Sequence, residues 1–278
     1  MSIKRILLTV SYDGTGYSGF QAQKSGVPTI AGALTEAIRD LTGEEVEVSG
    51  ASRTDAGVHA LCNLAVFDTC SRIPGEKFAR ALNVRLPGQI CIVDSCEVPA
   101  DFHPRFCDTI KTYEYRIYNA PYPSPLRRTD TYYSYTPFDV ERMRAAASYL
   151  AGEHDFKSFC SVHAQVNSTV REITGISVEA YPCEKESGAL RVLDPVRRNS
   201  AKSGKGELSP RLIVIRVSGK GFLYNMVRII AGTLMEVGRG AIKPDAMPAI
   251  LAAKDRNAAG PTAPPEGLTL TAYLLCNR

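Results

Sequence analysis

The hydrophobic period of this chain switches repeatedly between two and 3.6 residues, and that alternation constrains the fold more than any other feature. Residues 4–12 read as a strand ended by the turn Asp13-Gly14. Beyond Pro28 and Thr29, the residues Ile30, Leu34, Ile38 and Leu41 recur at helical spacing as far as Gly43. Val46 and Val48 alternate with polar neighbours, which predicts a strand running into the next segment. Further strands are predicted over 61–67, 90–98, 112–118, 172–181, 212–217 and 268–275, with helices over 76–84, 140–150, 222–237 and 245–252. Helices and strands interleave with several hairpin-sized gaps, favouring an α+β layered fold over a doubly wound parallel sheet. No sequence repeat is visible, yet two halves share this grammar and divide near residues 102–108.

Composition narrows the class of protein. At 278 residues the chain can bury a good core as one or two domains. No stretch approaches the roughly 20 apolar residues that cross a bilayer, so a cytoplasmic location is expected. The eight cysteines form no CxxC pair and no zinc-spaced cluster. They read as reduced, mostly buried small hydrophobes, and no metal site is expected. A net charge of +4 permits a polyanionic partner without requiring one. Residues 183–210 form a long basic insertion rich in Lys, Arg, Ser and Gly, readable as a solvated hairpin or as an arm touching phosphates.

Two glycine-rich stretches need separating. Gly14-Thr15-Gly16-Tyr17-Ser18-Gly19 fits GxGxxG after a strand, but the following residues cannot begin the helix that a dinucleotide site needs. It reads as a flexible turn. The second stretch, Ser49-Gly50-Ala51-Ser52-Arg53-Thr54-Asp55-Ala56-Gly57-Val58-His59-Ala60, sets one carboxylate among small residues. Asp-Ala-Gly alone makes an ordinary turn. The surrounding Gly50, Ala51, Ser52, Ala56, Gly57 and Ala60 also leave room for a bulky ligand to approach the backbone. A carboxylate meant to attack or abstract must stay ionised, which neighbouring cations favour.

Two arginines are candidates for that neighbour. Arg53, on a strand, would share Asp55's face and either pair with it or reach outward to the ligand. Arg228 lies on a helix apolar nearly all round, so its guanidinium is either buried against a carboxylate or snorkels to solvent. Seven of the thirteen tyrosines lie between Tyr113 and Tyr135. Such a ribbon serves as core or as a surface for stacking bases, and composition does not choose between them.

The residues GASRTDAGVHA resemble the signature of the tRNA pseudouridine synthase I (TruA-type) family, whose usual core is GRTDAGVHA. The likeness covers nearly the whole chain: YDGTGYSGFQAQ near the start, Asp101-Phe102-His103-Pro104-Arg105-Phe106, Lys111-Thr112-Tyr113-Glu114-Tyr115, and FLYNMVRIIAGTLMEVG late on. The implied fold is α/β: two ferredoxin-like halves, with mixed, mostly antiparallel sheets and helices packed on one face, joined around a basic cleft. The halves would be residues 1–105, carrying Asp55, and 106–278, carrying Tyr113 and Arg228. The resemblance implies a cofactor-free isomerase that converts uridine to pseudouridine at positions 38–40 of the tRNA anticodon stem-loop, working as a homodimer. It assigns Asp55 as the catalytic aspartate, Tyr113 as the ring stacked on the target base, Arg53 to base flipping and Arg228 to pairing with the aspartate.

Departures from the pattern are few. Ser52 replaces a glycine, Phe20 stands where tryptophan is usual, and Cys160 takes a place the family often gives to arginine. A non-catalytic tRNA-binding protein or RNA chaperone on the same scaffold is the alternative, but binding alone would not need the carboxylate. A hydrolase would lack a second catalytic group at a recognisable motif.

Overall fold

The computed structural model describes residues 3–23, 26–162, 166–183 and 208–275. Most of the basic insertion therefore lies outside the described residues. The architecture is the α+β layered one, and the chain divides into two compact units, residues 1–113 with 268–278, and residues 114–267.

The first unit is built on β1 (Lys4–Tyr12), β3 (His59–Thr69), β4 (Ile90–Val98) and β10 (Leu268–Leu275), in the order β4-β1-β3-β10. β1 is antiparallel to both neighbours, with Ile6 opposite Phe67 and Arg5 opposite Val98. β10 runs parallel to β3, pairing Leu270 with Ala60. The two-residue β2 (Ser49–Gly50) pairs with β3 further along, at Val66 and Ala65. Helix α1 (Ile30–Thr42) starts at Thr29, whose hydroxyl accepts from Gly32 N–H at 3.2 Å. Its Ile30, Leu34 and Ile38 meet Ile6, Leu8, Val10 and Phe67 from the sheet and Phe78 and Leu82 from α2 (Phe78–Asn83) in one core. Period 3.6 and period 2 thus bury complementary faces against each other.

The second unit takes up β5 (Thr109–Asn119) from Glu114 onward, followed by β9 (Arg211–Gly219), β8 (Val170–Pro182) and β7 (Gly152–Asp155) in that order. A short β6 (Tyr132–Ser134) pairs with β5. Helix α3 (Val140–Ser148), capped by Asp139, packs on β8 and on α4 (Met226–Gly238), and α5 (Met247–Ala253) follows.

Three expectations are corrected. Val46 and Val48 lie outside any strand, because Glu44 turns back to accept from Cys70 N–H at 3.0 Å and from the Thr69 hydroxyl, holding the segment through a side chain instead of a ladder. The late helix begins at Met226, not residue 222, because Asn225 takes a left-handed φ of 61°. Of the seven described cysteines, all free, only Cys160 and Cys183 are buried. Cys91 and Cys96 point outward from β4, an edge strand whose inward positions are Ile90, Ile92 and Ser95.

Helix α4 is apolar nearly all round and buried, as its sequence demands. A Cβ on its Gly232 would lie 1.8 Å from the Pro261 carbonyl oxygen. Alanine is the better helix former by about 1 kcal/mol, but overpacking against backbone outweighs that. Gly232→Ala should lower stability by about 2 kcal/mol. A urea midpoint at or above the wild-type value would show that the 261–263 segment yields freely.

Candidate active site

Small residues alone would leave Asp55 on a loose loop. What fixes it is a buried polar network beneath the turn. Asn63, on β3 and fully buried, accepts from Ser52 N–H at 3.1 Å and donates to the Ser52 carbonyl at 2.9 Å. Its remaining amide hydrogen goes to Tyr12 Oη at 3.1 Å, leaving the phenol to donate to Thr54 Oγ1 at 2.8 Å. Every polar atom of the Asn63 side chain is thereby used. Ala51 N–H reaches Leu64 O at 2.8 Å, and Val58 N–H closes the turn on Asp55 O at 3.1 Å.

The glycine-rich stretch at 14–19 forms the other side of this cradle, and so is a brace instead of the flexible turn expected. Phe20 N–H donates to Thr54 O at 3.2 Å, and Gly57 N–H donates to Tyr17 O at 3.1 Å. Gly19 has a φ of +92°, and a Cβ there would meet Thr54 O at 2.6 Å, so only glycine permits this approach. Buried His59 accepts from Gly14 N–H at 3.0 Å, tying the Asp13-Gly14 turn to the start of β3. Its role is structural.

Asp55 and Tyr113 belong to the same unit, and the carboxylate's charge acts on the phenol. Desolvation pushes the Tyr113 hydroxyl well above its ordinary value, with Tyr12 and then Asp55 adding to the rise. Ser52, in the place of the family's glycine, fits with its hydroxyl buried and lacking a hydrogen bond of ordinary geometry. It lies near enough to Tyr113 to offset part of that rise. Burial likewise drives Tyr12 up. Both phenols therefore remain protonated at neutral pH.

Arg53 sits in the turn region, not on a strand, so the face-sharing expected with Asp55 does not apply; it is exposed and makes no ion pair among the described residues. Its charge is felt by Arg105, whose Nη2 donates to Gly50 O at 2.9 Å, and Arg105 is felt in turn by Lys111. Burial, then the neighbouring cation, lowers the pKa of Arg105 and of Lys111. The Lys111 ammonium stands over the Tyr273 ring at 5.2 Å. A row of cations thus borders the turn.

Arg228 belongs to the second unit. It is half-buried on α4, donating from Nε to Ala263 O at 2.8 Å and from Nη1 to Asn225 Oδ1 at 2.9 Å. The left-handed Asn225 that delays the helix thus also orients this guanidinium. Further along the tyrosine ribbon the core reading holds for Tyr115 and Tyr118, both buried, and Tyr115 donates to Pro264 O at 3.0 Å. Tyr122 and Tyr135 are exposed.

Sequence reading passed over Tyr12 and Asn63. The signal was available: an asparagine within the apolar run of β3 must find partners. Among the described residues no group of three His, Cys, Asp or Glu side chains converges on a point, and no helix is long and apolar enough to cross a membrane.

A family model described as tRNA pseudouridine synthase matches residues 8–107 and 146–273. The chain is 44% identical over 268 residues to a tRNA pseudouridine synthase A of Caldicellulosiruptor bescii, covering 96% of this chain and 98% of that one. It is 43% identical to the protein of the same name from Acetivibrio thermocellus, with the same coverage. A tRNA pseudouridine synthase A 2 of Clostridium tetani is 44% identical over 96% of this chain and 97% of its own.

Two outcomes follow from the geometry. Asn63→Leu strands the Ser52 N–H and carbonyl, each worth about 1–3 kcal/mol when buried unpaired, so a loss of about 3 kcal/mol is expected in a urea titration. A loss under about 0.5 kcal/mol would mean that the network does not hold the turn. For the phenols the sign is fixed by their raised values. Above the ordinary tyrosine value of 10.0 the unfolded chain releases protons that native Tyr12 and Tyr113 keep. Stability present below that pH is therefore lost as pH rises through it. Absorbance at 295 nm should show exposed tyrosines ionising first and these two only with unfolding. All thirteen titrating together in a folded protein would contradict the burial.

Proposed function

The chain belongs to the tRNA pseudouridine synthase family, and from that membership we propose how its own residues perform the isomerisation of uridine to pseudouridine in tRNA. The reaction breaks the N1–C1′ bond and joins C1′ to C5; the C5 proton leaves and N1 gains one. Nothing is consumed, so the balance calls for no oxidant or co-substrate. The base must leave its stack to be turned, and a pocket poor in water suits that step.

Asp55 acts as the nucleophile at C1′ or C6, or as the base at C2′. The observation that carries this reading is the placement of Asp55: a carboxylate on a turn of small residues, fixed from below by Asn63 and Tyr12 and acting electrostatically on the Tyr113 phenol. Tyr113 stacks on the detached ring while it rotates, and its protonated state leaves the ring face uncharged. Arg53, exposed beside the turn, assists the flipping of the target base. Arg228 keeps Asp55 ionised, its guanidinium already oriented by Ala263 and Asn225. The target uridines are those at positions 38–40 of the anticodon stem-loop, and two copies of the chain act together on the cytoplasmic tRNA.

Unmodified tRNA tritiated at uridine C5 tests the assignment. Purified protein should release label without added cofactor and in the presence of EDTA, and Asp55→Ala or Asp55→Asn should abolish release. Label retained by the wild type in the presence of bound tRNA would leave a non-catalytic binder. In the same assay Arg228→Ala should lower turnover on the order of a hundredfold while tRNA affinity changes far less. Equal losses of both would recast Arg228 as a docking residue.

A further inference from the structure

Beside the catalytic turn lies a pocket of about 430 Å³. Its apolar lining comes from Phe20, Ala31, Val46 and Val48, and both Arg53 and Arg105 line it as well. Its shape depends on the absence of a side chain at Gly50, where a Cβ would overlap the Phe20 ring at 2.1 Å. Val46 and Val48 lie outside the sheet, in the segment that Glu44 anchors, where they pack on the first unit's core and line the pocket.

The two guanidinium groups are the unusual feature. Both line the one pocket, the charge of Arg53 acts on Arg105, and among the described residues neither makes an ion pair. Arg105 is held in place by Gly50 O, not by an acid. Like charges fixed side by side favour an anion between them, and the planar fork of arginine suits a phosphate oxygen pair. The volume exceeds what a phosphate alone would fill and is of the size that holds a small organic ligand. Thr35, Glu47 and Ser49 add hydrogen-bonding groups to the apolar walls, as the edge of a base would require.

We propose that this pocket receives one unstacked ribonucleotide of the bound RNA, a neighbour of the target, with its phosphate bridged by Arg53 and Arg105 and its base between the Phe20 and Val46–Val48 walls. The inference rests on the tRNA reading above. It makes Arg105 a substrate-binding residue and gives Arg53 a partner in holding the backbone open next to Asp55.

The test measures equilibrium binding of an unmodified tRNA transcript over a range of salt concentrations. Arg105→Gln should weaken binding about tenfold and reduce the slope of log affinity against log salt by about one, as loss of a single phosphate contact does. Thr35→Trp fills the pocket from α1 without touching a charge. It should weaken binding by a similar factor and leave the slope unchanged, and it keeps the question open to an answer should Arg105→Gln unfold the Gly50 segment. Affinities within twofold of wild type for folded Thr35→Trp would overturn the proposal. So would uridine monophosphate that binds the wild type and not Thr35→Trp while tRNA affinity is untouched, since the pocket would then serve a free nucleotide. The tritium assay separates this from the function itself. Label released by the wild type with both variants binding normally removes the pocket alone; no release, with binding still sensitive to Thr35→Trp, removes the isomerase reading and leaves the pocket standing.

Discussion

A carboxylate carried on glycine, alanine and serine is only as well placed as the hydrogen bonds underneath it. Here the buried side-chain bonds trace to one amide. Asn63 bonds both backbone groups of Ser52 and, through Tyr12, reaches Thr54, so residues on both sides of Arg53 are fixed from the sheet. The choice of small residues above and a fully satisfied polar side chain below resolves a conflict. Room for a nucleotide demands little side-chain bulk, while placement of a charge to a fraction of an ångström demands rigidity.

The same division of labour recurs around the turn. The 14–20 segment braces it through backbone contacts that only glycines allow, contributing no chemistry of its own. Two arginines are anchored by carbonyl oxygens, Arg105 on Gly50 in the first unit and Arg228 on Ala263 in the second. A carbonyl orients a guanidinium without neutralising it, so the positive charge of Arg105 remains available to a phosphate. By contrast, Glu114, on β5, is already engaged by Arg216 and Arg116 and is structural.

Much of this was legible in the sequence where local signals agree with tertiary packing. The α1 helix with its Thr29 cap and the β4 strand were readable because period, cap and turn residues all point the same way. Val46 and Val48 misled because a distant hydrogen bond accepted by Glu44, invisible to periodicity, holds their segment. The first turn of the late helix misled because Asn225 spends its backbone on a left-handed geometry that orients Arg228. At the site, Asp55 stood out by the emptiness around it. Asn63 and Tyr12 did not, since an isolated polar residue in a strand announces a partner without naming it. The pairing of Arg53 with Arg105 spans 52 positions of sequence and has no local signature at all.

The last described strand carries a consequence for how the enzyme comes into being. β10 pairs with β3 at His59 and Ala60, just after the Asp55 turn, yet it is separated from the rest of its unit by residues 114–267. A ribosome must therefore translate through Leu270 and beyond before the floor of the turn can close. Until β10 is in place, His59 and Ala60 lack those ladder partners, so the start of β3 next to the Asp55 turn stays incompletely paired during synthesis.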